Sequence, residues 1–268
     1  MTTTVNGIEI HYDDLGSVDM PALIFLHGFP LNRTMWQRQA EACRKHCRVI
    51  AYDLRGHGAT EGGEEPFSIP LFVQDLLSLM DALRVKTATL CALSMGGYIA
   101  LRAAEQHPER FNALILCDTQ CAADTPEGRE KRLQAIRAIE ADGVEPFAEG
   151  LLGKLLAEQT FEQHPETVAA VREMIVSTPA HSLVHSLRAM RERDETCSGL
   201  PRLALPVLIL VGEADQIAPP DASVYMHNAL PDAELVIIEG AGHLSNLENP
   251  EAFNAALLPF LSRHCHRD

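Results

Sequence analysis

Short, nearly continuous apolar runs alternate along this chain with longer stretches whose apolar residues recur at helical spacing. Residues 22–26, 48–52, 89–91, 113–117, 207–211 and 235–238 are runs of the first kind, the pattern of strands buried on both faces. An early hairpin is expected ahead of them, using residues 5–10 and a turn around 13–16. Residues 35–46, 69–83, 95–107 and 251–261 carry the helical spacing. In the second of these Phe72, Leu76, Leu79, Met80 and Leu83 form one stripe, which predicts packing against the sheet. Ser68 and Pro70 mark its start, as Asn249, Pro250 and Glu251 mark the start of the last helix. Strand and helix in alternation predict an α/β fold, a mostly parallel sheet with helices on both faces.

The pattern changes between Thr119 and Pro206, where strand runs disappear and residues 132–140, 144–158, 166–175 and 183–193 look helical. So long an interval is not a simple connection. It reads as a helical cap, 119–206, inserted into a main domain made of 1–118 and 207–268. A cap above the carboxyl ends of parallel strands would enclose the place where such sheets bind ligands. Its apolar residues include Phe147, Leu151, Leu152, Leu155, Phe161, Met174, Leu187 and Met190, of which at least half should face a core. Trp36, Phe147, Leu151 and Met190 are the pocket candidates, with Trp36 equally suited to holding the first helix on the scaffold. Apolar spacing does not separate burial within one chain from burial between chains, so the oligomeric state stays open.

The chemistry is concentrated in Cys91-Ala92-Leu93-Ser94-Met95-Gly96-Gly97, which follows a strand run and opens a helix. A serine on a tight strand-to-helix bend presents its hydroxyl as a nucleophile, although Ala92 stands where the G-x-S-x-G pattern has its first glycine. An unassisted hydroxyl is weak and needs a base, itself oriented by an acid. His243, in Gly240-Ala241-Gly242-His243, is the candidate base. Asp215, in Gly212-Glu213-Ala214-Asp215, is the candidate acid, with Asp118 and Glu213 as rivals. The chain order Ser94, Asp215, His243 is the order expected when the nucleophile sits on such an elbow. Oxyanion donors are expected from the backbone N–H groups of Phe29, in His27-Gly28-Phe29-Pro30, and of Met95. His27 is expected to hold structure, and Asp53 and Arg55, in Asp53-Leu54-Arg55-Gly56-His57-Gly58, to tie neighbouring loops.

Composition narrows the partners. The 268 residues are 46% apolar, enough for a large core, and the formal net charge is -15. No basic patch meets a nucleic-acid backbone or an anionic membrane, and no apolar run approaches a membrane span. The first residues lack the pattern of a secretory signal, so a cytoplasmic location is expected. Seven cysteines form an odd set without the density of a disulfide scaffold, and most are expected to be reduced. No metal site is expected, the Cys43 and Cys47 pair being too little for zinc. With no phosphate-binding or dinucleotide glycine motif, no cofactor is expected.

Taken together, these segments resemble the α/β-hydrolase family over nearly the whole chain. The resemblance implies an eight-stranded, mostly parallel sheet, a helical cap, and Ser94, Asp215 and His243 as a triad. Within the family the chain is similar to small carboxylesterases and 3-oxoadipate enol-lactone hydrolases. Epoxide hydrolases and haloalkane dehalogenases share the look of residues 27–30 but use an aspartate where Ser94 stands. The expected function is therefore hydrolysis of a small carboxylic ester through an acyl-enzyme. Enol-lactone hydrolysis, perhydrolase or carbon-carbon bond chemistry with the same triad, and a noncatalytic binding module are the alternatives. An inward Arg129, Arg132 or Arg188 would favour a carboxylated substrate, a neutral pocket a neutral acyl group.

Overall fold

Successive residues of a strand point to opposite faces of a sheet, and in Ala22–Leu26 both faces are buried. Ile24 and Leu26 join one apolar cluster with Phe72, Leu76 and Leu79, while Leu23 and Phe25 join a second with Trp36, Phe253 and Phe260. The computed structural model describes residues 1–265 and builds one sheet between these two clusters. Its strands are β1 (Thr2–Val5), β2 (Ile8–Leu15), β3 (Ala22–Leu26), β4 (Arg48–Tyr52), β5 (Ala88–Leu93), β6 (Phe111–Cys117), β7 (Val207–Gly212) and β8 (Ala233–Ile238). They lie in the order β1-β2-β4-β3-β5-β6-β7-β8. The β1–β2 and β2–β4 pairs are antiparallel and every other pair is parallel. The expected eight-stranded, mostly parallel sheet with helices on both faces is what the chain adopts.

Helices α1 (Gln37–Cys43), α2 (Ile69–Ala82) and α3 (Met95–Gln106) connect the first six strands. Between β6 and β7 run α4 (Pro126–Asp142), α5 (Val144–Leu155), α6 (Glu158–Gln163), α7 (Pro165–Val176) and α8 (Ala180–Arg191). Then come α9 (Pro220–Ala229), α10 (Ser245–Glu248) and α11 (Pro250–His264). Side chains of α2, α3 and α9 enter the first cluster and those of α1 and α11 the second, so both faces are covered. The Ser68 hydroxyl accepts from Leu71 N at 3.2 Å and the Asn249 side chain from Ala252 N at 3.2 Å, capping α2 and α11. No helix among the described residues is long and apolar enough to cross a membrane.

The expected place of the hairpin turn needs correction, while most cysteines are free as expected. The hairpin turns at Asn6-Gly7, where φ is 47° and 76°, and residues 13–15 lie inside β2. An Asn-Gly pair is the strong signal for a two-residue turn with both φ values positive, and it outweighs the polar run further on. Helix α9 was not expected, because only Ser223 and Met226 of its ten residues are buried and no apolar stripe announces it. Cys121 and Cys197, 76 residues apart, form a disulfide, whereas Cys43, Cys47, Cys91, Cys117 and Cys265 are free and buried. Sequence spacing carries no trace of that pairing, since folding alone brings the end of β6 against the return from α8.

The bridge closes the helical insert at its neck, beside a Thr196 N–H donated to Cys121 O at 2.9 Å. Closing a loop of 76 residues restricts the unfolded chain. Replacing both cysteines by serine is therefore expected to lower the free energy of unfolding by about 2 to 4 kcal/mol. Urea titration of the variant, beside the parent with and without dithiothreitol, checks this. Reduced parent should match the variant, and an unchanged midpoint in both would contradict the expectation.

Candidate active site

Strand order places the chemistry. The chain lays β4 on one side of β3 and then crosses back to lay β5 on the other, so a crevice opens where the loops after β3 and β5 diverge. Leu26 pairs with Ala92, and the loop from His27 and the bend at Ser94 leave the sheet as neighbours. A Cβ on Gly28 would stand 2.7 Å from Leu93 Cδ2 and 3.3 Å from Ser94 Cβ, so glycine eases the close approach of the two segments. Ala92 lies within β5, fully buried in the core, and its methyl group is accommodated there. The special backbone is confined to Ser94 itself, at φ 53° and ψ -114°. A non-glycine residue in this region is strained, and surrounding bonds must hold it. Ser94 N donates to Cys117 O at 3.0 Å, and Ser94 O accepts from Thr119 Oγ1 at 2.8 Å and Gly97 N at 2.9 Å.

Loops after β6, β7 and β8 supply the acidic and basic groups. His243 Nδ1 lies 2.8 Å from Asp215 Oδ2, both side chains being buried. The other carboxylate oxygen of Asp215 accepts from Ile217 N at 2.8 Å and Ala218 N at 3.0 Å, which fixes the plane it offers to the imidazole. The rival carboxylates go elsewhere. Glu213 accepts from Gly240 N at 3.2 Å, while Asp118 accepts from Gly212 N at 2.8 Å and Ser245 Oγ at 2.5 Å. Asp118 thus joins the loop carrying Asp215 to the segment carrying His243. Burial first, and then the neighbouring Asp215 charge, push the Asp118 carboxyl well above its usual range.

Ser94 and His243 open into one cavity of about 420 Å³. Phe29, Phe147, Leu151 and Met190 line it, together with Tyr98, Leu155, Leu187 and Ile217. Trp36 does not. It is fully buried, stacked on Phe25 at 4.8 Å and near Phe253 at 6.2 Å, beside a separate groove of about 1000 Å³ that contains neither Ser94 nor His243. Its pocket role is therefore corrected, because its ring is packed in the core cluster with Phe25 and Phe253 and does not line the cavity of Ser94 and His243. Of the remaining apolar residues between β6 and β7, Leu152 and Met174 belong to the core and Phe161 is exposed. Met95 opens α3, so its backbone N–H is one of those that a helix leaves without an intrahelical acceptor.

The cavity also carries charge. Arg132 lines it but pairs with Asp124, which a second guanidinium, Arg193, contacts at 2.7 Å. Burial pushes the Asp124 carboxyl up, yet the two arginines outweigh burial and hold it below the usual carboxylate range. Lys131 and Lys154 line the same cavity, and neither is in an ion pair among the described residues. Arg188 lies outside it, paired with Glu140, and Arg129 is not among its lining residues. Nothing in the sequence singles out these lysines over the arginines, because their place at the cavity depends on how α4 and α5 pack. Among the described residues no group of three or more histidines, cysteines or carboxylates is arranged to hold a metal ion.

Supporting loops are tied as the sequence suggested. Asp53 accepts from the backbone N–H groups of Arg33 at 2.8 Å and Ala59 at 2.9 Å, and Arg55 grips Asp75 with bonds of 2.8 and 2.7 Å. His27 Nε2 accepts from Leu54 N at 2.9 Å, which leaves Nδ1 to donate to Gly28 O at 3.0 Å. Burial lowers the His27 pKa to about 4 and the His57 pKa to about 3, so both rings are neutral struts.

A family model described as the alpha/beta hydrolase fold matches residues 21–250. The chain is 30% identical, over 98% of its length and 96% of the relative's, to 3-oxoadipate enol-lactonase 2 of Acinetobacter baylyi. Among solved structures, a thermophilic esterase from Thermogutta terrifontis with malate bound superposes with a TM-score of 0.92 at 36% identity, covering 98% of this chain and 96% of that one. The enol-lactonase from Burkholderia xenovorans superposes with a TM-score of 0.92 at 29% identity, covering 98% and 100%.

The neutral histidines give a pH signature. In the unfolded chain they take up protons below a pKa of about 6.5, whereas in the fold His57 does so only near 3. The unfolded state binds more protons through that window, so this contribution to stability is present above pH 6.5 and is lost as the pH falls towards 3. Replacing His57 by glutamine is expected to flatten the dependence of unfolding free energy on pH between 6 and 4 by about 1.4 kcal/mol per pH unit. Urea titrations of parent and variant at several pH values measure the difference, and parallel curves would contradict it.

Proposed function

The chain belongs to the alpha/beta-hydrolase family, and from that premise we propose that it cleaves a small carboxylic ester through an acyl-enzyme on Ser94. It is a hydrolase whose relatives are esterases and enol-lactonases. The observation that carries the finer reading is the buried His243–Asp215 contact of 2.8 Å opening into the cavity that Ser94 also lines. Asp215 fixes the tautomer with the proton on Nδ1, leaving Nε2 free to take the Ser94 proton as the hydroxyl attacks the carbonyl carbon. The N–H groups of Phe29 and Met95 receive the negative charge that develops on the carbonyl oxygen. His243 then gives its proton to the leaving alcohol, and a water deprotonated by the same ring releases the acid. The reacting groups need no metal or cofactor in this scheme.

Residues 119–206 serve in this reading as a cap over the core formed by 1–118 and 207–268. Phe147, Leu151 and Met190 from the cap meet Phe29 from the core at the cavity, which suits an acyl group with an apolar portion. A second reading, a lactone or ester whose acyl part ends in a carboxylate, is favoured by Lys131 and Lys154, which bring positive charge to the cavity of an acidic protein. Cytoplasmic residence is part of the proposal; the five free thiols support it, and the Cys121–Cys197 bridge is the feature that a thiol count in cell extract would test.

Turnover of p-nitrophenyl butyrate by purified Ser94→Ala protein is expected to fall at least about a thousandfold with the fold intact. Full retention, with contaminating esterase excluded, would sink the mechanism. Converting Lys131 and Lys154 to alanine together should lower kcat/KM for a monoester of succinate about fivefold and leave that for the butyrate ester within about twofold. Equal losses on both esters would remove the case for a carboxylated substrate.

A further inference from the structure

Glu248 ends α10, five residues beyond His243, and is buried with a carboxylate that satisfies four donors. Its Oε1 accepts from Gly242 N at 2.9 Å and Leu244 N at 3.3 Å, the two backbone groups that flank His243. Its Oε2 accepts from Ala157 N at 2.7 Å and Thr160 Oγ1 at 2.6 Å, both in the cap. One carboxylate therefore bonds the loop of the histidine on one oxygen and the cap on the other. Two further bonds cross the same seam: His243 N donates to Leu155 O at 2.9 Å, and Gln159 Nε2 donates to Gly240 O at 2.5 Å. The approach is close enough that a Cβ on Gly242 would stand 2.7 Å from Ala157 N.

We infer that Glu248 is a positioning residue through which the cap holds the His243 loop in register with Ser94. The inference rests on the reading of His243 as the base. A carboxylate is the one side chain of this length that only accepts, and all four groups facing it donate. Glutamine would turn an amide N–H₂ towards two of those donors and break the bridge on one side. Neither Glu248 nor Thr160 lines the cavity, so they can act on the reaction only through what they hold. Misplacing a base by about 1 Å costs on the order of a hundredfold in rate, whereas substrate binding by distant cavity walls is unaffected. The cap thereby contributes to the chemical step as well as to substrate choice.

Steady-state kinetics with p-nitrophenyl butyrate on Glu248→Gln, Thr160→Val, Thr160→Ser and the Glu248→Gln/Thr160→Val double variant test this, with Ser94→Ala alongside. Glu248→Gln should lower kcat about thirtyfold with KM within twofold, and slow fluorophosphonate labelling of Ser94 by a similar factor. Thr160→Val, which removes one donor at nearly constant volume, should lower kcat about fivefold, and Thr160→Ser, which keeps the donor, should recover most of that loss. The double variant should be no slower than Glu248→Gln alone, as expected when both residues act through one bridge. The inference is overturned if folded Glu248→Gln keeps its kcat, if the losses lie in KM, or if valine and serine at position 160 behave alike. Should Glu248→Gln fail to fold, the valine and serine pair decides. If Ser94→Ala retains activity the underlying reading falls as well; if it is dead and the other variants keep their kcat, only the positioning role falls.

Discussion

Parallel strands all end at the same edge of the sheet, and everything chemical in this protein depends on that constraint. The loops after β3, β5, β6, β7 and β8 deliver Phe29, Ser94, Asp118, Asp215 and His243 to one side of the molecule, although these residues are spread from position 29 to position 243. The reversal of strand order between β3 and β5 opens the space between the first two loops. A sheet buried on both faces is rigid, so the groups at its edge are held without moving parts of their own.

Rigid strand ends do not by themselves fix the loops beyond them, and buried carboxyl groups do much of that work. Asp53 collects the loops after β3 and β4, Asp118 joins those after β7 and β8, and Glu248 bonds the last of these to the helical insert. Asp53 and Glu248 offer their oxygens to groups that donate, the condition under which a buried carboxyl stabilises instead of destabilising. Asp215 differs in that one oxygen is satisfied by backbone and the other faces an imidazole. Among these acids it is the one paired with an imidazole that lines the cavity.

The core of this arrangement is legible in the sequence because it depends on local pattern. Apolar runs identify the six parallel strands β3 to β8, and Ser94, Asp215 and His243 stand in the segments that follow three of them. What is not legible depends on distant packing. Trp36 is as apolar and aromatic as any pocket residue, and only the stacking on Phe25 shows that it belongs to the scaffold. Lys131 and Lys154 are exposed, and only the packing of α4 and α5 shows that they also line the cavity. The Cys121–Cys197 bridge and the reach of Glu248 to the helices between β6 and β7 join residues 76 and 91 positions apart. The Asn6-Gly7 turn differs, because its signal is local and stands in the chain: the pair sets the hairpin ahead of residues 13–16.

The acyl-enzyme is the central claim, and trapping it is the most direct test. Parent protein mixed with p-nitrophenyl butyrate and quenched in acid within milliseconds should release a burst approaching one equivalent of nitrophenol if deacylation limits turnover. Mass spectrometry of the digest should then find one butyryl group on the peptide containing Ser94, and none on Ser94→Ala protein. A butyryl group carried by a different residue, with Ser94 unmodified during productive turnover, would contradict the account.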